Sequence, residues 1–350
     1  MSNSEENGPR TPRILVLGAT GYIGRNIVRA LLRSPGSQVV LGVRNPDRLD
    51  AEAAACERRV GDLRDPAYRA TVFDGIDVVC FAAAWSALHG RAAESRENFL
   101  SPTIAAMQSA ADAGVSRILF TSAIDIANLP TSRSAAIRRD VSKVWPHLGN
   151  VVAIEDQLQT LAERGLTTVA LRCGTFTGPG GTLGILPVLL PRLRARVVPT
   201  LEGGHVPMRL IDGRDVGEAF RVAALAPLRG AHRFDVALAD SPTFLQLLQL
   251  LHAEFGIPLP WFSVSFGLAY RFAHFAELLS RVTPFDPLLT RSIVFLSEPA
   301  PVDHAPLRTL GFEPSHPWQA SVREQVSEIL RERVPSRLTD GRAPMLPAPR

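Results

Sequence analysis

The chain contains one lysine. Lys143 stands alone among 38 basic residues, leaving 38 − 1 = 37 arginines, and there are only three tyrosines, Tyr22, Tyr68 and Tyr270. Any chemistry that needs a tyrosine beside a lysine therefore has few places to occur. Cysteine is scarce too. Cys56, Cys80 and Cys173 lie far apart, in no C-x-x-C or Cys/His spacing. That excludes a disulfide framework and a zinc site, predicts no metal, and suits a reducing compartment. No run reaches about 18 apolar residues, so no spanning helix is expected. The polar start, MSNSEENGPRTPR, lacks the apolar core of a signal peptide. Together these features predict a cytoplasmic protein.

A concentrated charge is also missing. The formal net charge is +4 and the pI near 9.4, but the arginines are scattered. The exception is the short RSAAIRR stretch at 133–139, which reads as a solvated loop. No nucleic-acid partner is expected. With 46% hydrophobic and 21% charged residues in 350, the composition is that of a globular chain with room for one large core and a smaller unit.

Between polar or proline-rich tails at 1–11 and 335–350, the first half alternates two patterns. Short runs read as strands: ILVLG (14–18), QVVLGV (38–43), ERRVGDL (57–63), DVVCFAAA (77–84), SRILFTSA (116–123) and TTVALR (167–172). Helical spacing occupies 22–34, 47–55, 91–113 and 150–165. Continuous apolar strands separated by helices predict a Rossmann-type, doubly wound parallel α/β sheet covered on both faces. We place a dinucleotide-binding domain at 12–174. A smaller, mainly helical substrate-side portion follows at 175–334, with elements returning to the sheet. Its clearest helices are 214–226, 241–255, 265–282 and 316–334. The Phe- and Leu-rich stretch 261–296 can line an apolar pocket, pack as core, or meet a membrane surface.

The stretch LVLGATGYIGRNIV sets Gly18, Gly21 and Gly24 between the first strand and the first helix. Gly18 permits a sharp turn, Gly21 lets the backbone approach a pyrophosphate, and Gly24 allows the helix to pack close to the strand. Twenty residues beyond Gly24 the second strand ends in Val43-Arg44-Asn45, with no acid to hold an unmodified ribose. Arg44 suits the 2′-phosphate of NADP, with Arg25 as a possible helper, so NADP(H) is expected in preference to NAD(H).

These residues resemble the extended and atypical short-chain dehydrogenase/reductase family, the NAD-dependent epimerase/dehydratase-like proteins, over roughly 13–330. GATGYIG looks like its cofactor turn, GDLRDP (61–66) like its adenine-side pair, and FAAA (81–84) like its fourth strand end. LTTVALRCGTFTGPGG (166–181), RLIDGRDVGEAF (209–220) and LGFEP (310–314) are similar to its later segments, with Cys173 and Thr177 at places that usually hold proline and tyrosine. The resemblance implies cofactor contacts from Gly18, Thr20, Gly21, Tyr22, Ile23, Gly24, Asp62, Leu63, Ala82, Ala83, Ala84 and Thr121.

The family's acid/base tyrosine works because a lysine four residues later lowers its pKa, while a serine holds the substrate oxygen. All three are absent. By alignment the serine falls on Ala123; counting back from Glu155 in HLGNVVAIEDQL, lysine falls on Val151 and tyrosine on His147. No Tyr-x-x-x-Lys occurs anywhere. Two replacements suggest themselves. His147 can titrate near neutrality, and Asp125, just past Ala123, can have its pKa raised by burial. Lys143 and Trp85 lie close enough in sequence to approach the same site.

Three readings stay open: an NADP(H)-dependent reductase of an apolar or polycyclic metabolite with a non-standard proton donor, a redox-neutral isomerase, cyclase or lyase, and a non-catalytic NADP(H) sensor. The expected partner is a hydrophobic small-molecule substrate. Peripheral membrane contact and a homodimer also stay open.

Overall fold

Strands buried on both faces cannot alternate apolar with polar residues, and the apolar runs of the first half do form such strands, whereas ERRV at 57–60 forms an exposed edge strand. The computed structural model describes residues 11–34, 36–181, 184–283 and 287–332. Apart from Thr11, the expected tails lie outside the described residues, as does the end of the helix expected at 316–334.

The first half runs β1 (Arg13–Leu17), α1 (Tyr22–Leu32), β2 (Gln38–Val43), β3 (Glu57–Val60), α2 (Pro66–Thr71), β4 (Val78–Phe81), α3 (Ala92–Ser95) and α4 (Ser101–Asp112). It continues with β5 (Arg117–Ala123), α5 (Ala135–Arg139), α6 (Pro146–Glu163) and β6 (Thr167–Cys173). Then come β7 (Thr175–Thr177), α7 (Leu186–Arg194), β8 (Thr200–Leu201), β9 (Leu210–Asp212), α8 (Gly213–Leu225) and β10 (Ala231–Val236). The chain closes with α9 (Phe244–Phe255), β11 (Ser263–Val264), α10 (Phe266–Leu279), α11 (Arg291–Leu296), α12 (Ala305–Thr309) and α13 (Trp318–Glu332).

Seven strands form one parallel sheet in the order β10-β6-β5-β4-β1-β2-β3. Its register sets Leu15 beside both Val40 and Val79, and Phe81 beside Phe120. The sequence pattern gave six of these strands. The seventh, β10, comes from the second half and mixes Arg233 and Asp235 with Phe234, as a strand at the sheet's edge can.

On one face Ile14, Val16, Ile27, Leu31, Val216 and Phe220 pack beneath α1 and α8. On the other, Leu15, Leu17, Met107, Phe120, Leu148 and Leu158 pack beneath α4 and α6. At about 1.5–3 kcal/mol for each such buried side chain, these layers outweigh the surface ion pairs in holding the sheet. A smaller core of Leu190, Leu248, Leu251 and Val322 joins α7, α9 and α13.

Two helix expectations are corrected. The stretch 47–55 forms two single 3-10 turns, Pro46–Arg48 and Ala51–Ala53, because Asn45 Oδ1 accepts from the Asp47 N–H at 2.9 Å and Pro46 opens the first turn. The long helix expected at 91–113 is interrupted by a π turn, Arg96–Leu100, between α3 and α4. Such an insertion rotates the residues it carries relative to the helix on either side. Here it carries Phe99, which is buried.

One buried carboxylate ties three strands to α6. Glu155 accepts from Ser122 Oγ at 2.5 Å and from Arg172 at 2.9 and 2.6 Å, and Arg233 lies 3.3 Å away. Its charge is thus paired and hydrogen-bonded, the condition under which a carboxylate can stay buried.

Candidate active site

The carboxyl ends of β1, β4 and β5 converge beside the start of α1. Gly18 has φ +82°, and a Cβ there would lie 2.6 Å from the Ala83 nitrogen. A Cβ on Gly24 would lie 2.1 Å from the Gly18 carbonyl oxygen. Both positions therefore need glycine for the turn, β4 and α1 to approach so closely. Gly21 caps α1 and is exposed; no side chain caps this end and its first turn carries no acid. The free N–H groups and the positive end of the helix dipole are left for an anion, which fits a dinucleotide's pyrophosphate.

The other expected cofactor residues fall around this turn in different ways. Thr20 is half-buried, and Ile23 is buried in the core beneath α1. The Tyr22 side chain turns inward: its hydroxyl donates to the Thr177 carbonyl and accepts from the Gly213 N–H, and burial raises its pKa. Tyr22 and Ile23 thus bring only backbone to the turn. Ala82, Ala83 and Ala84 follow β4, the first tied to β1 by its N–H to the Leu17 carbonyl at 3.0 Å. Thr121 on β5 donates to the Phe81 carbonyl at 3.1 Å. Leu63 is half-buried against the α4–α6 face.

Arg44 is exposed at the end of β2. Asp62 accepts from Arg64 at 2.7 and 3.1 Å, and this bonding, with the Arg44 charge as a smaller contribution, holds its pKa below the usual carboxylate range. Arg25, the expected helper, turns to the Arg48 carbonyl at 3.1 Å and to Asp50 at 3.5 Å.

At the head of α6, Trp145 Nε1 donates to the Ala87 carbonyl at 2.9 Å, fixing the helix start against the loop after β4. His147 lies eight residues before Glu155, hence about 12 Å along the helix from the bond to Ser122. Its ring stands 4.9 Å from Phe99, the residue presented by the π turn. Burial lowers its pKa to about 4. The expectation that it titrates near neutrality is therefore corrected: the ring is neutral at neutral pH. Nδ1 is buried without a hydrogen-bond partner. An orphaned buried N–H is rarer than an orphaned acceptor, so the proton belongs on Nε2, which leaves Nδ1 as the bare acceptor.

Val151, at the lysine's place, is buried among apolar side chains. Lys143 is exposed and pairs with Asp140 at 3.6 Å, and Trp85 packs half-buried against the α4–α6 face.

Asp125 stands just beyond β5 and accepts from Arg209 at 2.7 Å. Burial raises its pKa, against the opposing effect of Arg209. Arg209 is buried, has φ 50°, and also donates to the Glu298 carbonyl at 2.9 Å. The Glu298 carboxylate in turn accepts from Ser132 Oγ at 2.9 Å and the Arg133 N–H at 2.7 Å. The sequence offered no signal for this assembly, whose members lie 84 and 89 residues apart. It binds Asp125 to a fixed cation rather than leaving it to exchange protons freely.

Residues 18–188 match the NAD(P)H-binding family. "Sterol demethylase protein B" of Methylococcus capsulatus is 30% identical over 261 residues, 70% of this chain and 75% of that one. The protein belongs to the same family as this relative and carries an NAD(P)H-binding domain. Solved structures share its fold. A short-chain dehydrogenase/reductase superfamily protein from Agrobacterium tumefaciens, with bound NAD, matches at TM-score 0.66 and 18% identity, covering 91% of this chain and 98% of that one. A nucleoside-diphosphate-sugar epimerase from Pseudomonas aeruginosa matches at TM-score 0.66 and 19% identity, covering 92% and 98%. The chain thus has an NAD(P)-binding domain of known kind, with His147 and Val151 at the head of α6.

Proposed function

We propose that the protein is an NADP(H)-dependent oxidoreductase that reduces an apolar, polycyclic carbonyl compound, with His147 at the substrate oxygen. The observation that carries this reading is the exposed, uncapped and acid-free start of α1 at the glycine turn, with Arg44 at the next strand end. Substrate class is supported by the Methylococcus capsulatus relative, named for a sterol, which is an apolar polycycle.

In this reading residues 12–174 hold the cofactor and 175–334 form the substrate side. The backbone of Gly18–Gly24 holds the pyrophosphate, Ala82–Ala84 and Thr121 flank the cofactor, and Arg44 meets the 2′-phosphate. Bound NADPH supplies the hydride. The neutral His147 Nε2–H donates to the substrate carbonyl, polarising it, and gives its proton to the alkoxide as charge develops. Solvent restores that proton. A pKa near 4 serves this role, since an uncharged ring can sit in an apolar site and still donate. Asp125, locked to Arg209, shapes the strand end.

NADPH consumption in the presence of a steroid ketone tests the assignment. A redox-neutral isomerase or a sensor would leave NADPH unconsumed. Arg44→Ala should raise the Kd for NADPH by about 10–100-fold and that for NADH by less than about threefold. Equal losses for both would remove the NADP preference. His147→Phe should lower kcat by about 10²–10⁴-fold with NADPH affinity unchanged, and His147→Gln, which keeps a donor, should recover part of the loss. Since His147 stays neutral well below its usual range, the rate should show no inflection near pH 6.5 that this substitution abolishes.

A further inference from the structure

Helix α10 buries its small residues and exposes its large ones. Ala269, Ala273 and Ala276 face inward, with Phe266 at the start. Leu268, Phe272, Phe275 and Leu279, at the i, i+4, i+7, i+11 spacing of a single stripe, face out. Phe275 is 64% exposed, Val282 just beyond the helix 81%, and Trp261 just before it 75%. A helix already packed through Phe266, Tyr270 and its alanines has no folding reason to present further phenylalanines to water.

Charge beside the stripe is mainly positive, since the one exposed acid at the helix start, Glu202, is paired with Arg133 at 2.6 Å. Arg271 and Arg281 are exposed beside it, whereas Glu277, the only acid in 259–283, is buried and holds Arg291 at 2.6 Å. The acid-free stretch 186–201 adds Arg192, Arg194 and Arg196, and its end, β8, pairs with β11 just after Trp261 and Phe262. A second copy would bring the same cations against these, so this rim opposes self-association.

We propose that α10 and the Trp261–Phe262 pair form a docking surface for an anionic lipid bilayer. The phenylalanines and the indole enter the boundary between headgroups and acyl chains, and the arginines meet lipid phosphates. This surface is independent of the cofactor site, although His89, in the loop after β4, reaches it through Ser280 at 3.1 Å.

Sedimentation of the full-length protein with vesicles tests this. Phosphatidylcholine vesicles containing one-third phosphatidylglycerol should bind it at low salt, and phosphatidylcholine alone at least about tenfold more weakly. Phe272→Ser combined with Phe275→Ser should reduce binding by about tenfold or more. Arg271→Glu combined with Arg281→Glu should reduce it by about tenfold on anionic vesicles only. All these side chains are exposed, so NADPH binding should be unchanged in the variants, which checks their folding. Three results would overturn the proposal: wild-type protein that stays in the supernatant, a double-serine variant that binds as wild type, or a dimer in solution that this variant alone converts to monomer. A wild-type protein without NADPH affinity would defeat the reductase reading but leave the vesicle result standing.

Discussion

Arg209→Met should destabilise the protein by about 3–5 kcal/mol, read as a lowered midpoint in urea unfolding. The arginine and its partner Asp125 are both nearly shut off from water, with side-chain exposures of 6% and 13%. Removing the cation leaves the carboxylate buried without a counter-charge, and strips a donor from the Glu298 carbonyl. The non-glycine φ of 50° adds to the expectation, because a left-handed backbone persists only where its surroundings hold it. The Arg209 carbonyl is held by the Thr175 N–H at 2.8 Å, so the loss would spread to β7 and β9.

The pH dependence of this variant has a definite sign. Asp125 already has a raised pKa against the opposition of Arg209, and without the arginine it rises further. A carboxyl raised in the folded state binds a proton that the unfolded chain has released. Stability of the variant should therefore fall as pH rises above the ordinary aspartate range, and recover on acidification towards it. Adding Asp125→Leu to Arg209→Met should restore most of the stability at neutral pH, since neither charge is then stranded. A double variant as unstable as the single one would show that the pair is not the source of the loss.

The second large effect is on cofactor binding. Gly24→Val should weaken NADPH binding by more than about 100-fold, measured by cofactor fluorescence, because its Cβ would meet the Gly18 carbonyl oxygen at 2.1 Å and the Ala19 Cα at 2.9 Å. Both atoms are backbone, so the turn must open. Gly267→Ala is the control: beyond its own helical backbone and chain neighbours, no described atom lies within 4 Å of the added methyl, and binding should be unchanged. Retained affinity in Gly24→Val would mean that the glycine turn is not the phosphate site.

The parallel strands could be read from sequence because burial on two faces writes itself as continuous apolar runs such as ILVL and VVCF. Both edge strands, β3 and β10, lack that signature; β3 was read from its place in the strand–helix alternation of the first half, whereas β10 lies beyond that alternation and was not. Residues 47–55 misled because alanine favours helix while Asn45 and Pro46 impose a turn, a contest between propensity and local hydrogen bonding that the turn won. The glycine turn was legible for a local reason: steric room at Gly18 and Gly24 is set within one stretch of chain. The Asp125–Arg209 pair and the Phe99–His147 contact were not. Each joins residues brought together only by the fold, and the second depends on a π turn that leaves no mark in the apolar spacing.

Three neighbouring residues after β4 are each fastened to a different part of the molecule. Ala87 receives the Trp145 indole at the head of α6, the Leu88 carbonyl receives the Ser292 hydroxyl of α11, and His89 meets Ser280 beyond α10. This short segment acts as a rivet. The indole two positions from His147 and the two helices of the apolar flank therefore share one anchor in the loop after β4.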